Sequence, residues 1–177
     1  MGEEARKGCL QVYTGDGKGK STAAFGLALR AAGRGLRTVI VQFMKKGGNY
    51  GEIGALARLS PEIAVFSYGG DKCIRLGEES AEDAALARAG LEKAREAMFS
   101  GIDILILDEL SVALWFGLLK EEEALELLAA RPPQLEVVVT GRKAPQSLID
   151  LADLVTDMKE VKHPYQKGMG ARPGIEF

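Results

Sequence analysis

Thr14-Gly15-Asp16-Gly17-Lys18-Gly19-Lys20-Ser21-Thr22 is the stretch on which the fold turns. An apolar run, Cys9-Leu10-Gln11-Val12-Tyr13, precedes it. An Ala-rich helical pattern, Ala23-Ala24-Phe25-Gly26-Leu27-Ala28-Leu29-Arg30, follows. Strand, Gly-rich turn and helix start are the setting of a phosphate-binding P-loop. Gly15, Gly17 and Gly19 let backbone approach a polyphosphate and turn N–H groups toward its oxygens. The positive end of the following helix adds attraction. Lys20 reaches phosphate charge, and Ser21 offers a hydroxyl to Mg²⁺. The spacing is irregular: Gly15 and Gly19 enclose three residues where four are usual, Thr14 holds the expected Gly position, and Lys18 is an extra cation. A plain Gly-rich surface turn is the alternative reading.

Working outward, short β-branched runs alternate with longer helical patterns. Residues 37–43, 62–68, 102–107, 136–140 and 154–159 read as strands. Residues 52–58, 79–99, 121–130 and 145–151 read as helices, the second with Leu86, Ala89, Gly90, Ala94 and Ala97 near one face. A Gly/Lys-rich loop spans residues 44–51, and residues 69–77 form a polar segment. The near-continuous apolar run at 102–107 suits a sheet covered on both faces. This rhythm predicts a single three-layer α/β domain over residues 1–177, P-loop NTPase-like (RecA-like), with a mostly parallel central sheet.

Ile104-Leu105-Ile106-Leu107-Asp108-Glu109 ends an apolar strand in two carboxylates, the Walker B layout. Ligands of open α/β sheets bind outside the carboxyl ends of the strands. Loop and carboxylates therefore share an edge, where one carboxylate can hold Mg²⁺ against phosphate. By itself an Asp-Glu pair is equally an acidic helix cap. Thr140-Gly141-Arg142 ends another strand, so Arg142 either grips phosphate with its guanidinium or is a surface arginine in a turn. Gln42 ends a strand at the same edge and is a pocket candidate. His163 has no orienting partner nearby in sequence. Trp115-Phe116 reads as core or interface rather than a stacking platform.

The formal net charge of −2 gives no basic field to recruit nucleic acid or an anionic membrane. The longest apolar run is far too short to span a bilayer. Met1-Gly2-Glu3-Glu4-Ala5-Arg6 has neither a signal core nor the Ser/Thr of a myristoylation site, so the cytoplasm is the expected compartment. Cys9 and Cys73 are too few and too distant to argue for a disulfide, and with one histidine they make a structural zinc site improbable. Cys73 is given no role.

Taken together these motifs resemble the P-loop corrinoid adenosyltransferases (ATP:cob(I)alamin adenosyltransferases). The matching pieces run from Tyr13 to Gly26, then Val41-Gln42-Phe43-Met44-Lys45, Gly51-Glu52, Leu107-Asp108-Glu109-Leu110, Ala130-Arg131-Pro132 and Thr140-Gly141-Arg142. Leu151-Ala152-Asp153-Leu154-Val155, Val161-Lys162-His163, Gly168, Ala171, Gly174 and Ile175 complete them, covering nearly the whole chain from about Leu10. The irregular loop spacing is that family's own. The resemblance implies attack of cob(I)alamin cobalt on the 5′ carbon of ATP, with inorganic triphosphate leaving and ATP lying in the loop in the reverse of the usual sense. It implies ATP binding by Thr14, Gly15, Asp16, Gly17, Lys18, Gly19, Lys20, Ser21, Thr22, Arg30 and Arg142. Lys20 and Glu109 carry the catalytic roles, and Ser21 and Glu109 hold Mg²⁺ (or Mn²⁺). Gln42, Lys45, Glu52, Tyr68 and His163 are the corrinoid-side candidates. It further implies a reduced corrinoid substrate, cob(I)alamin or a cobinamide-type precursor, an electron-donating reductase as partner, and a homodimer. Some members carry aromatic residues after the third strand, beneath the corrin ring. Here Gly69-Gly70-Asp71-Lys72-Cys73 has none, and Tyr68 and Phe66 are the neighbouring aromatics. The competing readings are a P-loop ATPase or kinase without a corrinoid, a RecA-like nucleic-acid protein, and a degenerate corrinoid carrier.

Overall fold

Val137, Val138 and Val139 are all fully buried, yet they belong to two different cores. Successive side chains of a strand point to opposite faces, so an unbroken apolar run requires cover on both. The computed structural model describes residues 6–47, 50–70 and 74–176. Its strands are β1 (Leu10–Thr14), β2 (Thr38–Phe43), β3 (Ile63–Tyr68), β4 (Ile104–Asp108), β5 (Glu136–Thr140) and β6 (Leu154–Asp157). They form one six-stranded sheet in the order β3-β2-β4-β5-β1-β6, and every pairing is parallel. The expected mostly parallel sheet is thus parallel throughout the described residues.

Helices α1 (Lys20–Ala32) and α2 (Gly51–Leu56) cover one face, where Ala24, Phe25, Ala28 and Leu56 meet Ile40, Ile106 and Val138. The other face carries α3 (Ala81–Met98), α4 (Leu110–Trp115), α5 (Glu121–Ala129) and α6 (Gln146–Leu151), packed on Val41, Leu105, Leu107, Val137 and Val139. Each such Val, Leu or Ile contributes roughly 1.5–3 kcal/mol of transfer free energy. Three layers result, as the alternation of elements implies. No described helix is long and apolar enough to cross a membrane.

Sequence and structure differ at α3, at α4 and at several element ends, β4 running Ile104–Asp108 and β6 stopping at Asp157. Helix α3 buries Ala87, Gly90, Leu91, Ala94, Ala97 and Met98, whereas Ala89 is exposed and Leu86 half-buried. The apolar stripe is rotated because Gly90 sits against the Phe43 ring, where a Cβ would come within 2.9 Å of Cε1. Close approach at Gly90 fixes which neighbours turn inward. Helix α4 is an element the apolar pattern did not announce. Trp115 on it is half exposed, so it is not core. Met1–Ala5 and Asp71–Cys73 lie outside the described residues.

Candidate active site

Because the strands are parallel, β1, β2, β4 and β5 deliver their carboxyl ends to one edge. There the 15–19 turn leaves β1 and enters α1. Gly15 and Gly19 hold φ of 92° and 121°, a region that glycine enters freely. The residues following β6 clamp the same turn. A Cβ on Gly15 would lie 2.5 Å from the Met158 carbonyl oxygen, and one on Gly17 2.6 Å from it. The Gly17 N–H donates to that oxygen at 2.6 Å. This corrects the sequence reading: the Gly17 amide is committed to Met158 rather than turned toward phosphate. The Lys20 ammonium lies over the turn, donating to the carbonyls of Gly15 (2.7 Å) and Gly17 (2.6 Å). Burial, and then the nearby Arg142 guanidinium, lower its pKa.

Asp108 ends β4 with no solvent exposure. It accepts hydrogen bonds from Thr140 Oγ1 (2.8 Å), Gln42 Nε2 (3.2 Å) and Lys45 Nζ (2.8 Å). The nearby Ser21 hydroxyl also helps to lower its pKa. Burial alone would raise this carboxyl, but the Lys45 charge and these hydrogen bonds outweigh it and hold the pKa low. Lys45 mirrors the effect: burial lowers its pKa, the Asp108 charge raises it, and the net direction is up. Glu109 follows in the left-handed region, φ 64°. Its N–H donates to Thr140 Oγ1 at 3.0 Å, so one hydroxyl orients both carboxylate residues. Burial first, and the Asp108 charge second, raise the Glu109 pKa.

A cavity of about 780 Å³ opens over this edge. Gly17, Lys18, Gly19, Lys20, Ser21 and Thr22 form its floor. Lys45, Glu52, Glu109, Arg142 and His163 supply further polar groups, and Phe25, Met44, Ile74, Val112 and Phe116 an apolar wall. The size is that of a small-molecule site. The donor set suits a hard cation: a hydroxyl at Ser21 and carboxylates at Asp108 and Glu109, all oxygen ligands. Among the described residues no cluster of three or more His, Cys, Asp or Glu forms a cage. Mg²⁺ is commonly held by one or two carboxylates together with water and substrate phosphates.

The description ATP:corrinoid adenosyltransferase BtuR/CobO/CobP belongs to the family model that matches residues 6–177. The chain belongs to this family. It is 38% identical over 172 residues to a corrinoid adenosyltransferase of Pseudomonas aeruginosa, covering 97% of this chain and 84% of that protein. A corrinoid adenosyltransferase of Escherichia coli K12 is 36% identical over 172 residues, 97% of this chain and 86% of that one. Corrinoid adenosyltransferase CobA of Salmonella typhimurium is 34% identical over 174 residues, 98% and 88%. Among solved structures, a KaiC-like protein from Pyrococcus horikoshii matches with a TM-score of 0.56 at 18% identity, over 85% of this chain and 73% of that one. That likeness shows the P-loop NTPase-like fold.

Within this corrinoid adenosyltransferase family frame, the residues expected at the site divide into two groups. Gly17 to Thr22, Lys45, Glu52, Glu109, Arg142 and His163 meet at the cavity. Thr14, Gly15 and Asp16 do not line it; Gly15 contributes instead through the carbonyl that holds Lys20. Arg30 stands in the last turn of α1, ten residues beyond Lys20 and so about 15 Å along the helix axis. Its charge is felt at Tyr13, and its side chain does not line the cavity. Gln42 is fully buried, donating to Asp108 and accepting from Ser67 Oγ at 2.9 Å. It braces the carboxylate and does not line the cavity. Tyr68 borders a small separate hollow with Met44 and Ile74. Phe66 turns outward beneath the Lys93 ammonium, 4.3 Å from its ring centroid. His163 lines the cavity, and its Nδ1 accepts the Tyr165 N–H at 3.2 Å, capping the turn Pro164–Lys167.

Sequence reasoning missed Thr140 as the hydroxyl between the two carboxylate residues, although its place before Gly141-Arg142 at a strand end was a usable signal. It also missed Tyr50 and Phe116 as cavity aromatics. The most distant omission is residues 174–176, which line the cavity from the far end of the chain.

Proposed function

We propose that this chain carries out its family's reaction, adenosyl transfer from ATP to a reduced corrinoid in cobalamin biosynthesis or salvage, in the cavity over the 17–22 loop. The observation that carries this reading is the convergence of Lys18, Lys20, Arg142, Ser21 and Glu109 on one cavity with an apolar wall. The reaction breaks the bond between the 5′ carbon of ATP and its triphosphate oxygen, and forms a cobalt–carbon bond from the cob(I) electron pair. Triphosphate is a poor leaving group unless its charge is stabilised. Lys18, Lys20 and Arg142 supply fixed positive charge, and such preorganised groups are the main source of catalysis where no protein nucleophile is needed. Ser21 and Glu109 would hold Mg²⁺ through oxygen ligands. When bound, the metal neutralises phosphate charge. Lys45, Glu52 and His163 face the corrinoid side. A cytoplasmic homodimer served by an electron-donating reductase completes the reading.

Anaerobic incubation with chemically reduced cobalamin, ATP and Mg²⁺ tests it. The expected products are a light-sensitive cobalt–carbon species and stoichiometric triphosphate. ADP and phosphate without a cobalt–carbon product would mean a P-loop hydrolase acting on no corrinoid.

A further inference from the structure

The residues after the Pro164–Lys167 turn come back over the phosphate loop. There the Lys18 ammonium donates to the Ile175 carbonyl at 2.9 Å and to Glu176 Oε1 at 3.0 Å. Glu176 does not hang free. Its Oε2 accepts the Arg172 N–H at 2.8 Å and Nε at 3.2 Å, and Oε1 accepts Arg172 Nη2 at 3.0 Å. Hydrogen bonds from Arg172 and Lys18 hold its carboxyl down at about 2, so it is ionised throughout the working range. Gly174, Ile175 and Glu176 line the same cavity as Lys20, Ser21, Glu109 and Arg142.

A carboxylate offers an ammonium what a phosphate offers: two oxygens sharing negative charge. Lys18 has three N–H donors, and the tail takes two of them. A polyphosphate entering the cavity thus meets a loop lysine already partnered, and a fixed negative charge beside it. The pair remains solvent-accessible, with side-chain exposures of 48% for Lys18 and 24% for Glu176. Exposed pairs of this kind are weak, so the contact can exchange without disturbing the sheet or the loop.

We propose that Glu176 is an affinity-setting residue of the phosphate site, an internal competitor for Lys18 that weakens polyphosphate binding and so favours release of the triphosphate product. This rests on the reading that ATP's phosphates lie over the 17–22 loop. A site built to stabilise a leaving triphosphate holds that product tightly by the same charges. A carboxylate of the chain that reclaims Lys18 lowers the barrier to its departure.

The experiment is calorimetric titration of the intact protein with sodium tripolyphosphate and Mg²⁺. Glu176→Gln should bind it about five-fold more tightly than the parent, as removing one screened like charge near the anion predicts. Glu176→Asp, which keeps the charge, should stay close to the parent. In a Lys18→Gln background, Glu176→Gln should lose most of its effect, because the competition runs through that lysine. Equal or weaker binding by Glu176→Gln, in a protein that does bind tripolyphosphate, overturns the proposal and leaves the nucleotide site standing. Failure of the parent protein to bind tripolyphosphate at all overturns the nucleotide-site reading as well.

Discussion

Asp108 and Glu176 are the same chemical group placed at opposite extremes of one cavity. Asp108 is fully buried at the end of a central strand, bonded by groups from β2, β5 and the loop after β2. Glu176 is held on the surface by one neighbouring arginine and one loop lysine. Both carboxyls have lowered pKa values, through different balances. At Asp108 charge pairing must overcome a large desolvation penalty, so the cluster is assembled once, on folding. At Glu176 little desolvation is involved, and the contact is free to exchange. The difference separates what the site is built on from what a substrate can move.

Removing the buried member should do the most damage. Asp108→Ala leaves the Lys45 ammonium and the donors of Gln42 and Thr140 without their acceptor, and should cost about 3–5 kcal/mol of stability by urea denaturation. A loss well below that would mean water or another acceptor serves these groups, and the contrast would fail. Lys20→Ala should leave the sheet intact and lower kcat/KM by ~10²-fold, about 2.7 kcal/mol in the transition state, measured in the anaerobic adenosylation assay. Activity near that of the parent would remove Lys20 from the catalytic set. Glu109→Gln keeps the side-chain shape but removes the charge, so the Mg²⁺ concentration for half-maximal activity should rise roughly tenfold. An unmoved metal titration would transfer the ligand role to Asp108.

The smallest effect concerns Glu176 in acid. Its folded pKa is about 2 against an ordinary 4.5. A depressed carboxyl contributes stability that is fully present above its unfolded value and is lost as pH falls through the folded one. The window is therefore about pH 4.5 down to 2. Carbon-detected NMR of the side-chain carboxyl should give a midpoint near 2, and a midpoint near 4.5 would show that the Lys18 and Arg172 contacts are not kept in solution.

How much of this was legible in the chain follows from the range of each interaction. Strand β5 was read at its observed bounds, because three valines ending in Thr-Gly are a local signal. The loop, Lys20, Ser21 and Glu109 were legible because their chemistry is local to a strand–turn–helix motif. Strand order was not: Gln42 reads as a pocket candidate at the carboxyl edge, and only the flanking of its strand by β3 and β4 shows its side chain to be buried. Arg30 stands about 15 Å along α1 from Lys20, a distance that similarity of sequence does not carry and the rise of a helix does. Helix α4 escaped because six residues do not complete two turns of periodicity. Gly174 and Ile175 were among the matching pieces, but the place of residues 172–176 at the cavity escaped because their partner Lys18 lies more than 150 positions away.

The sheet order also has a consequence in time. Gln11 pairs with Val138 and with Leu154, so β1 has no partner within the next hundred residues of chain. From residue 11 to residue 138 is 127 positions. At a synthesis rate of about 5–20 residues per second, the phosphate-loop strand waits roughly 6–25 s for its first neighbour. Meanwhile β2, β3 and β4 can already have joined. Strand β1 is among the last to enter the sheet, and the 15–19 turn is clamped only when Met158 reaches Gly17. A nascent chain of this protein therefore gains its outer half-sheet well before it can recognise ATP.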